Sequence, residues 1–359
     1  MREEKKYLWR ASILFFPCLF LFLFVFCAAA SAQDIEAKVD ACINAYIESG
    51  NFSGSVLIAH GEDVLVCKGY GLANIEHGVL NTPHTKFRIG SVTKQFTSMA
   101  VIQLQERGLL STEDFLAKYI PDYPHGDEIT IHHLLTHTSG VVNFTSLSDF
   151  DEIEILNLSI EETIELFKNK PLDFQPGEKY KYSNSGYVLL GFIIEKVSNK
   201  SYADYIKENI FDPLDMKNSG YDSYSKIINN RAAGYISSKN GLVNAGYIDM
   251  SIPHGAGALY STVEDLFRWD RALYTEKLVK NDSLKKIFTP FKNDYGYGWF
   301  ISERFGRKCV QHGGGIEGFK VNISRYPDSR ACIIVLSNFE HAPVSDISQD
   351  LAAILFGER

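Results

Sequence analysis

The chain has 359 residues, with 36 basic and 44 acidic side chains and a net charge of −8. An acidic chain without a block of basic residues argues against nucleic-acid binding. Hydrophobic residues make up 45% of the chain and charged residues 22%, which is the balance expected of a protein with a packed globular core.

The first 32 residues are predicted to form a secretion signal. Four basic residues among the first ten precede an almost unbroken apolar run over residues 13–26, and Ala30-Ser31-Ala32 fits the small-x-small rule for cleavage. Because the apolar run is short for a membrane span of about 20 residues, we expect cleavage after Ala32 rather than an uncleaved membrane anchor. The sequence therefore predicts a periplasmic or secreted protein that comprises residues 33–359.

Cleavage would remove four basic and two acidic residues, leaving 32 and 42 and a net charge of −10. It would leave four cysteines, for which an oxidising compartment permits disulfides. Three full pairings are possible and the sequence does not choose among them, while burial as small hydrophobic side chains is an equal alternative. No Cys-x-x-Cys pattern occurs, so we expect no zinc or thioredoxin-like site. The four cysteines are Cys42, Cys67, Cys309 and Cys332.

Strand patterns occur towards both ends of the chain and helical patterns lie between them. Apolar spacing predicts a helix over residues 35–47 and then a β-hairpin of residues 55–59 and 64–70. Near the other end, three strands and a final helix are predicted over residues 308–311, 319–326, 331–337 and 347–355. Helices in the middle are predicted over residues 91–107, 159–168 and 185–198, with a helix or turn at 129–135.

These elements predict an α+β fold. Antiparallel pairing of the terminal strands would bring the chain ends together in one sheet, with the helical region inserted between them. The sheet part would then comprise about residues 33–90 and 290–359, and the helical part about residues 91–289.

A Ser-x-x-Lys pattern lies at Ser91 and Lys94, where an amphipathic helix is predicted to begin directly after Gly90. The same letters recur at residues 223–226 and 283–286, but in polar, turn-rich stretches. A serine at a helix N-terminus lies in a positive field that favours an alkoxide, and a lysine three residues later shares its face. Such a partner is what a weakly nucleophilic hydroxyl needs.

Two further strings each occur once. Tyr182-Ser183-Asn184 precedes a predicted helix, and its simpler interpretation is a turn with a partly buried tyrosine. His312-Gly313-Gly314-Gly315 lies between two predicted strands, and its simpler interpretation is a glycine-rich hairpin with an exposed histidine. An edge strand here would offer unpaired backbone N–H groups.

In this order, the three strings resemble the motifs of the serine β-lactamase and penicillin-binding family, in its class C-like, D,D-peptidase-like branch. Residues 129–140, 176–178 and 295–299 resemble further segments of the family, so that the likeness spans nearly the whole mature chain. The resemblance implies a five-stranded antiparallel sheet flanked by helices, an inserted mostly helical region, and an active site between the two.

The resemblance also implies the catalytic roles. Ser91 would attack a carbonyl and form an acyl-enzyme, while Lys94 and Tyr182 move the protons. Tyr182 would act as an anionic base, which needs a pKa well below about 10, or as a proton relay. No cofactor and no metal are implied.

The resemblance assigns the remaining site residues to substrate binding and to the oxyanion hole. The side chain of Asn184 would donate a hydrogen bond to a substrate amide and would orient Lys94. Two backbone N–H groups would stabilise the oxyanion. The substrate-binding residues would be Asn184, His312 and Gly314, and the oxyanion donors the N–H groups of Ser91 and Gly315.

His312 departs from the β-lactamases proper, which carry Lys-Thr-Gly at this place. The D,D-peptidase, D-aminopeptidase and some esterase members of the family have histidine instead. Because histidine is mostly neutral at pH 7, it would hold a substrate carboxylate less firmly than lysine. The departure therefore leaves the expected acyl-enzyme chemistry in place, and it leaves open whether β-lactams are hydrolysed or only acylate the protein.

Three other classes of protein share parts of this pattern. The glycine string also matches the oxyanion loop of α/β-hydrolases, but the chain has no Gly-x-Ser-x-Gly elbow. A metal hydrolase would use His132, His133 and His137, but no carboxylate lies at ligand spacing among them, so these histidines are interpreted as structural. A non-catalytic binding module on the same fold is the third alternative.

The sequence therefore predicts a cofactor-free serine hydrolase that acts on a small-molecule or peptide substrate. The expected substrate is a D-amino-acid peptide, as for a D,D-carboxypeptidase, or a related amide or ester, and β-lactams are expected to acylate the protein. A class C-like β-lactamase and an esterase are the alternatives. A membrane would be a partner only if the signal segment stayed uncleaved.

Overall fold

The computed structural model of the protein describes residues 34–358, so the predicted secretion signal lies outside the described residues. Within this range no helix is long and apolar enough to cross a lipid bilayer. The strands, in chain order, are β1 (Gly54–His60), β2 (Asp63–Tyr70), β3 (Leu72–Asn74), β4 (Val79–Leu80), β5 (Phe87–Arg88), β6 (Gly220–Tyr221), β7 (Tyr235–Ser238), β8 (Gly241–Asn244), β9 (Leu259–Ser261), β10 (Phe300–Arg304), β11 (Arg307–Ile316), β12 (Phe319–Tyr326) and β13 (Ala331–Ser337).

The helices are α1 (residues 34–48), α2 (Thr93–Glu106), α3 (Ile131–Leu135), α4 (Phe150–Ile153), α5 (Ile160–Lys168), α6 (Asn184–Ser198), α7 (Tyr202–Ile206), α8 (His254–Gly257), α9 (Val263–Ala272), α10 (Asn281–Ile287) and α11 (Val344–Phe356). Most of them lie between β5 and β10 in the chain, which matches the predicted helical middle.

A six-stranded antiparallel sheet forms the centre of the fold, in the order β10-β11-β12-β13-β1-β2. The predicted α+β class with an antiparallel sheet is confirmed, and the sheet has one strand more than the five expected. The additional strand is β10, which pairs with β11 along the edge of the sheet. Three of its five residues are partly buried and two are exposed, and such a short edge strand carries little of the apolar alternation by which strands are recognised.

Antiparallel pairing of β1 with β13 joins the two ends of the chain, from Gly54 opposite Ser337 to His60 opposite Ala331. Alternate residues of these strands face opposite sides of the sheet. Val56 and Ile58 pack in a core with α1 and α11, whereas Leu57 and Ala59 pack in the larger core that includes α2 and α9. Cys309 and Cys332 are buried free thiols, and Cys67 is a free thiol that is partly buried.

Helix α2 runs through the middle of the molecule, against α6 and α8. The sequence predicted an amphipathic helix, but every residue from Thr93 to Leu104 is buried. The polar side chains find partners inside the protein, as Gln95 Oε1 accepts from Trp269 Nε1 at 2.9 Å and Thr97 Oγ1 donates to the Gly255 carbonyl at 2.6 Å. Polar residues on this helix therefore do not mark a solvent-facing side, because surrounding elements pair with most of their polar atoms; Gln95 Nε2 and Gln103 Oε1 are buried without a partner among the described residues.

Candidate active site

A cleft of about 170 Å³ lies where the end of β11 faces the helical region. The candidate nucleophile, the candidate oxyanion glycine and a mixture of apolar and polar side chains line it. They include Ser91, Phe144, Thr145, Phe150, Asn184, Ile248, Ile252, Ala256, Gly315, Ile316 and Glu317.

A free stretch of sheet edge ends at the cleft, where Gly315 and Ile316 line one wall. Strand β10 pairs with β11 only as far as Gln311, whereas β12 continues to pair with β11 up to Ile316. Residues 312–316 therefore have no strand on their outer side among the described elements. An extended substrate can bind along such an edge through backbone hydrogen bonds.

Ser91 lies in a single 3-10 turn, Gly90–Val92, which leads directly into α2. Gly90 has a positive φ of 47° and packs tightly against β11, because a Cβ at this position would lie 2.9 Å from the backbone nitrogen of Gly315. Glycine alone tolerates both the conformation and the contact. The turn thereby holds the Ser91 backbone beside that of Gly315, at the N-terminal end of α2.

Lys94 is fully buried behind the serine. Its Nζ lies 3.1 Å from Ser91 Oγ, 2.8 Å from Asn184 Oδ1 and 2.8 Å from the carbonyl oxygen of Ala256. Burial holds the pKa of Lys94 well below its usual 10.5, which favours the neutral amine. A neutral amine has two hydrogens, and the two acceptor-only oxygens of Asn184 and Ala256 take them. Its lone pair then faces the Ser91 hydroxyl.

Tyr182 completes this group from the segment before α6. Its phenol hydrogen-bonds Ser91, and its ring centroid is 4.8 Å from Lys94 Nζ. Burial of the phenol raises the pKa of Tyr182 well above 10, against the smaller opposing effect of the bond to Ser91. A neutral phenol beside a neutral amine is therefore the state that the low-dielectric surroundings favour.

Asn184 is the first residue of α6 and is held by three hydrogen bonds. Its Oδ1 accepts from Lys94, its Nδ2 donates to Thr145 Oγ1 at 3.0 Å, and its backbone N–H donates to Asn143 Oδ1 at 2.9 Å. These contacts fix the side chain at the cleft wall. The structure thus gives Asn184 the predicted contact with the lysine, and it leaves the predicted contact with a substrate amide as an expectation.

His312 is only 3% exposed and does not line the cleft. Its Nδ1 lies 2.5 Å from the Gly313 carbonyl oxygen, which only accepts, so Nδ1 carries the hydrogen and Nε2 accepts from Tyr295 Oη at 3.1 Å. Burial and the nearby Lys94 lower the pKa of His312 to about 3. Gly314 also lies away from the cleft wall, where a Cβ would be 2.1 Å from the Ile89 carbonyl oxygen. The two residues shape the strand behind the cleft.

The family model for beta-lactamases matches residues 39–358. The chain belongs to the beta-lactamase family. The predicted relationship to serine β-lactamases and penicillin-binding proteins is therefore confirmed, and with it the coarser prediction of a serine hydrolase fold. Penicillin-binding protein 4* of Bacillus subtilis (strain 168), to which the chain is similar, is 33% identical over 338 residues, covering 87% of this chain and 74% of that protein.

Solved structures of similar proteins agree with membership of the beta-lactamase family. An octameric penicillin-binding protein homologue from Pyrococcus abyssi matches with a TM-score of 0.81 and 33% identity, over 89% of this chain and 77% of that chain. A D-amino acid amidase from Ochrobactrum anthropi SV3 also matches with a TM-score of 0.81, over 91% of this chain and 99% of that chain. Its identity is 22%, so this second likeness shows the shared fold.

In this beta-lactamase family member, the three histidines considered as metal ligands make separate contacts. His132 Nδ1 lies 2.8 Å from Tyr297 Oη, and the ring of His133 accepts from the Thr130 N–H in a capping box at the start of α3. His137 instead contacts the segment that carries Tyr182. Among the described residues no group of three or more His, Cys, Asp or Glu is arranged to hold a metal ion.

Several residues of the site are not part of any sequence motif and were not predicted. Ala256 contacts Lys94 through its carbonyl oxygen, which no side-chain pattern marks, and Thr145 contacts Asn184 from a single 3-10 turn, Phe144–Ser146. Glu317 lies two residues beyond Gly315 in the turn after β11 and lines the cleft. Its position next to the third string is the one signal that could have singled it out.

Proposed function

We propose that this protein is a serine hydrolase that forms an acyl-enzyme at Ser91 on a D-amino-acid peptide or a related amide or ester. The observation that carries the proposal is the environment of Lys94, whose buried Nζ lies 3.1 Å from Ser91 Oγ and 2.8 Å from each of two acceptor oxygens, those of Asn184 and Ala256. A buried amine with a lowered pKa is a general base suited to a serine hydroxyl.

The acylation step follows from this geometry. Lys94 removes the proton as Ser91 Oγ bonds to the substrate carbonyl carbon, and the N–H groups of Ser91 and Gly315 would hold the developing oxyanion. When the bond from carbon to the leaving nitrogen breaks, the proton passes through the Tyr182 phenol to that nitrogen. The raised pKa of Tyr182 supports this relay role rather than that of an anionic base. Water that enters beside Tyr182 would then hydrolyse the acyl-enzyme.

The relatives support the substrate class. Proteins named as penicillin-binding proteins are among those that the chain matches, so we infer acylation by β-lactams and a peptide of the D,D-carboxypeptidase type as substrate. The buried and neutral His312 offers no charge to a substrate carboxylate, which supports slow turnover of β-lactams. Secretion, as the first 32 residues predict, would bring the protein to such substrates.

A second candidate function, cleavage of a D-amino-acid amide with a free amino group, is favoured by Glu317. Its Oε2 is buried without a hydrogen-bond partner among the described residues, and its carboxyl group hydrogen-bonds that of Glu154. None of the described residues that line the cleft is a lysine or arginine. A substrate ammonium would therefore find the Glu317 carboxyl group in this cleft and would favour its ionised form, against the burial that raises the pKa of Glu317.

The proposal is tested by incubating the mature protein with a fluorescent penicillin and with a short-chain nitrophenyl ester, alongside Ser91→Ala. A covalent penicillin adduct that requires Ser91 supports the acyl-enzyme, and an adduct without turnover supports a peptidase rather than a β-lactamase. Ester hydrolysis alone would favour an esterase. If neither probe reacts in a Ser91-dependent way, the protein is a binding module and the proposed activity is wrong.

A further inference from the structure

His137 holds the segment that carries Tyr182 from both sides. The His137 carbonyl oxygen accepts from the N–H of Lys181 at 3.0 Å, and its Nδ1 accepts from the N–H of Ser183 at 3.2 Å. The two donors are the residues immediately before and after Tyr182. Since backbone hydrogen bonds on either side leave a residue little freedom, the direction of the Tyr182 side chain follows from these contacts.

The imidazole ring of His137 also packs directly on the phenol ring of Tyr182. The ring centroids are 4.2 Å apart with an interplanar angle of 36°, and His137 is only 1% exposed. Its backbone adopts a positive φ of 56°, a region that histidine and asparagine enter more readily than most residues. In this conformation the carbonyl and the ring of one residue both reach the same three-residue segment.

The hydrogen bond from Ser183 fixes the tautomer of the ring. Because Nδ1 accepts, the hydrogen of the neutral imidazole lies on Nε2, which is buried and has no hydrogen-bond partner among the described residues. Burial is the main cause that lowers the pKa of His137, and the nearby Lys94 and His312 lower it further. A neutral ring can rest against Tyr182 without competing with Lys94 for the proton.

We propose that His137 is the positioning residue of the site, which clamps the Tyr182 segment so that the phenol reaches Ser91 and Lys94. The inference rests on the proposed function and goes beyond it, since His137 acts through Tyr182 and does not line the cleft. From the sequence, His137 is interpreted only as a structural residue. Its effect should appear wherever Tyr182 must pass a proton, and most clearly where the leaving nitrogen needs one.

Two variants and two probes test the inference. His137→Phe keeps a ring but loses the acceptor for Ser183, whereas His137→Asn keeps an acceptor and tolerates the positive φ. Acylation by the fluorescent penicillin requires protonation of the lactam nitrogen, but hydrolysis of a nitrophenyl ester releases a stable anion. We expect His137→Phe to slow the penicillin reaction by about 100-fold and the ester reaction by less than about 10-fold. His137→Asn should recover most of the lost rate.

The same measurements in a Tyr182→Phe background complete the test, with His132→Phe as the matched control, because His132 contacts Tyr297 instead. If His137 acts through Tyr182, His137→Phe should cause little further loss in that background. The positioning role would be overturned if His137→Phe slowed the two reactions equally. It would also be overturned if His137→Phe lowered the rates in the Tyr182→Phe background as much as in the wild type. Lack of Ser91-dependent reaction in the wild-type protein would instead refute the proposed function, and the inference with it.

Discussion

Gly90 lies so close to Gly315 that a methyl group on its Cα would sit 2.9 Å from the Gly315 nitrogen and 2.8 Å from its carbonyl oxygen. This contact joins the turn that carries the nucleophile to the strand that would supply an oxyanion donor. The distance between the two proposed N–H donors therefore depends on a residue that has no side chain.

Gly90→Ala should lower kcat by about 10- to 100-fold, because the methyl group would push the Ser91 turn away from β11 and misalign the oxyanion donors. Gly78→Ala is the matched control, since Gly78 also has a positive φ, of 63°, but nothing within 4 Å of its Cβ position. Both variants should lose about 1 kcal/mol or more of stability from the left-handed backbone. Equal kcat values for the two variants would contradict the prediction, which ester hydrolysis and urea denaturation can check.

Lys94→Met should abolish acylation, with a loss of about 10³-fold or more, and should also change how stability depends on pH. The pKa of Lys94 is well below 10.5 in the folded protein, so between that value and about 10.4 the unfolded chain binds one more proton. The free energy of unfolding of the wild type should then rise with pH, relative to the variant, by up to about 1.4 kcal/mol per unit.

Urea denaturation of the wild type and Lys94→Met at pH 7 and pH 9 measures this difference. The exposed Lys170→Met serves as the control and should follow the wild type at both pH values. Parallel pH dependences of the wild type and Lys94→Met would show that Lys94 is charged in the folded protein, and the proposed role as a base would then fail.

Glu317→Gln should reduce kcat/KM for D-alanine nitroanilide by about 10-fold and leave its N-acetylated form nearly unchanged. The physical reason is the loss of a charge-assisted bond to the substrate ammonium. Glu152→Gln is the control, because Glu152 is exposed on the same acidic stretch as Glu154 and does not line the cleft. If the wild type prefers the acetylated substrate, the carboxypeptidase function is favoured over the amidase.

Glu154→Gln should make the protein more stable relative to the wild type as the pH rises from 5 to 8. Burial and the neighbouring Glu317 raise the pKa of Glu154 to about 7, above the ordinary value of 4.5. Between these values the folded state holds a proton that the unfolded state releases, so wild-type stability falls as the pH rises through this window. Thermal melts at both pH values measure the effect, and a constant difference between the two proteins would contradict it.

The order of the elements and the motifs could be predicted because each has a local pattern. The hairpin of β1 and β2, the terminal strands and the three strings at Ser91, Tyr182 and His312 all rest on the spacing of neighbouring residues. Strand β10 could not be predicted, because an edge strand with exposed residues lacks the alternation of apolar and polar side chains. The burial of α2 on all sides could not be predicted either, because its polar residues bind partners such as Trp269, which lie far away in the sequence.

The chemistry of the site could be predicted only in part, for a related reason. Residue types at fixed spacing indicated Ser91 and Lys94, but the lowered pKa of Lys94 comes from burial and its contact with the Ala256 carbonyl oxygen comes from a distant segment, and tertiary packing provides both. His137 is a histidine like its neighbours His132 and His133, so the sequence alone gives no reason to separate the three. Only the folded chain distinguishes it, because its contacts are to a segment more than forty residues away.

Strand β13 comes last in the chain among the described strands, yet it lies between β12 and β1 in the middle of the sheet. The inner edge of the hairpin of β1 and β2 therefore stays uncovered until residues 331–337 have been synthesised and have paired with β1. Such distant pairing makes folding slow. If the predicted signal directs export, a sheet that closes late would leave the chain without its central strand pairing for longer during that step.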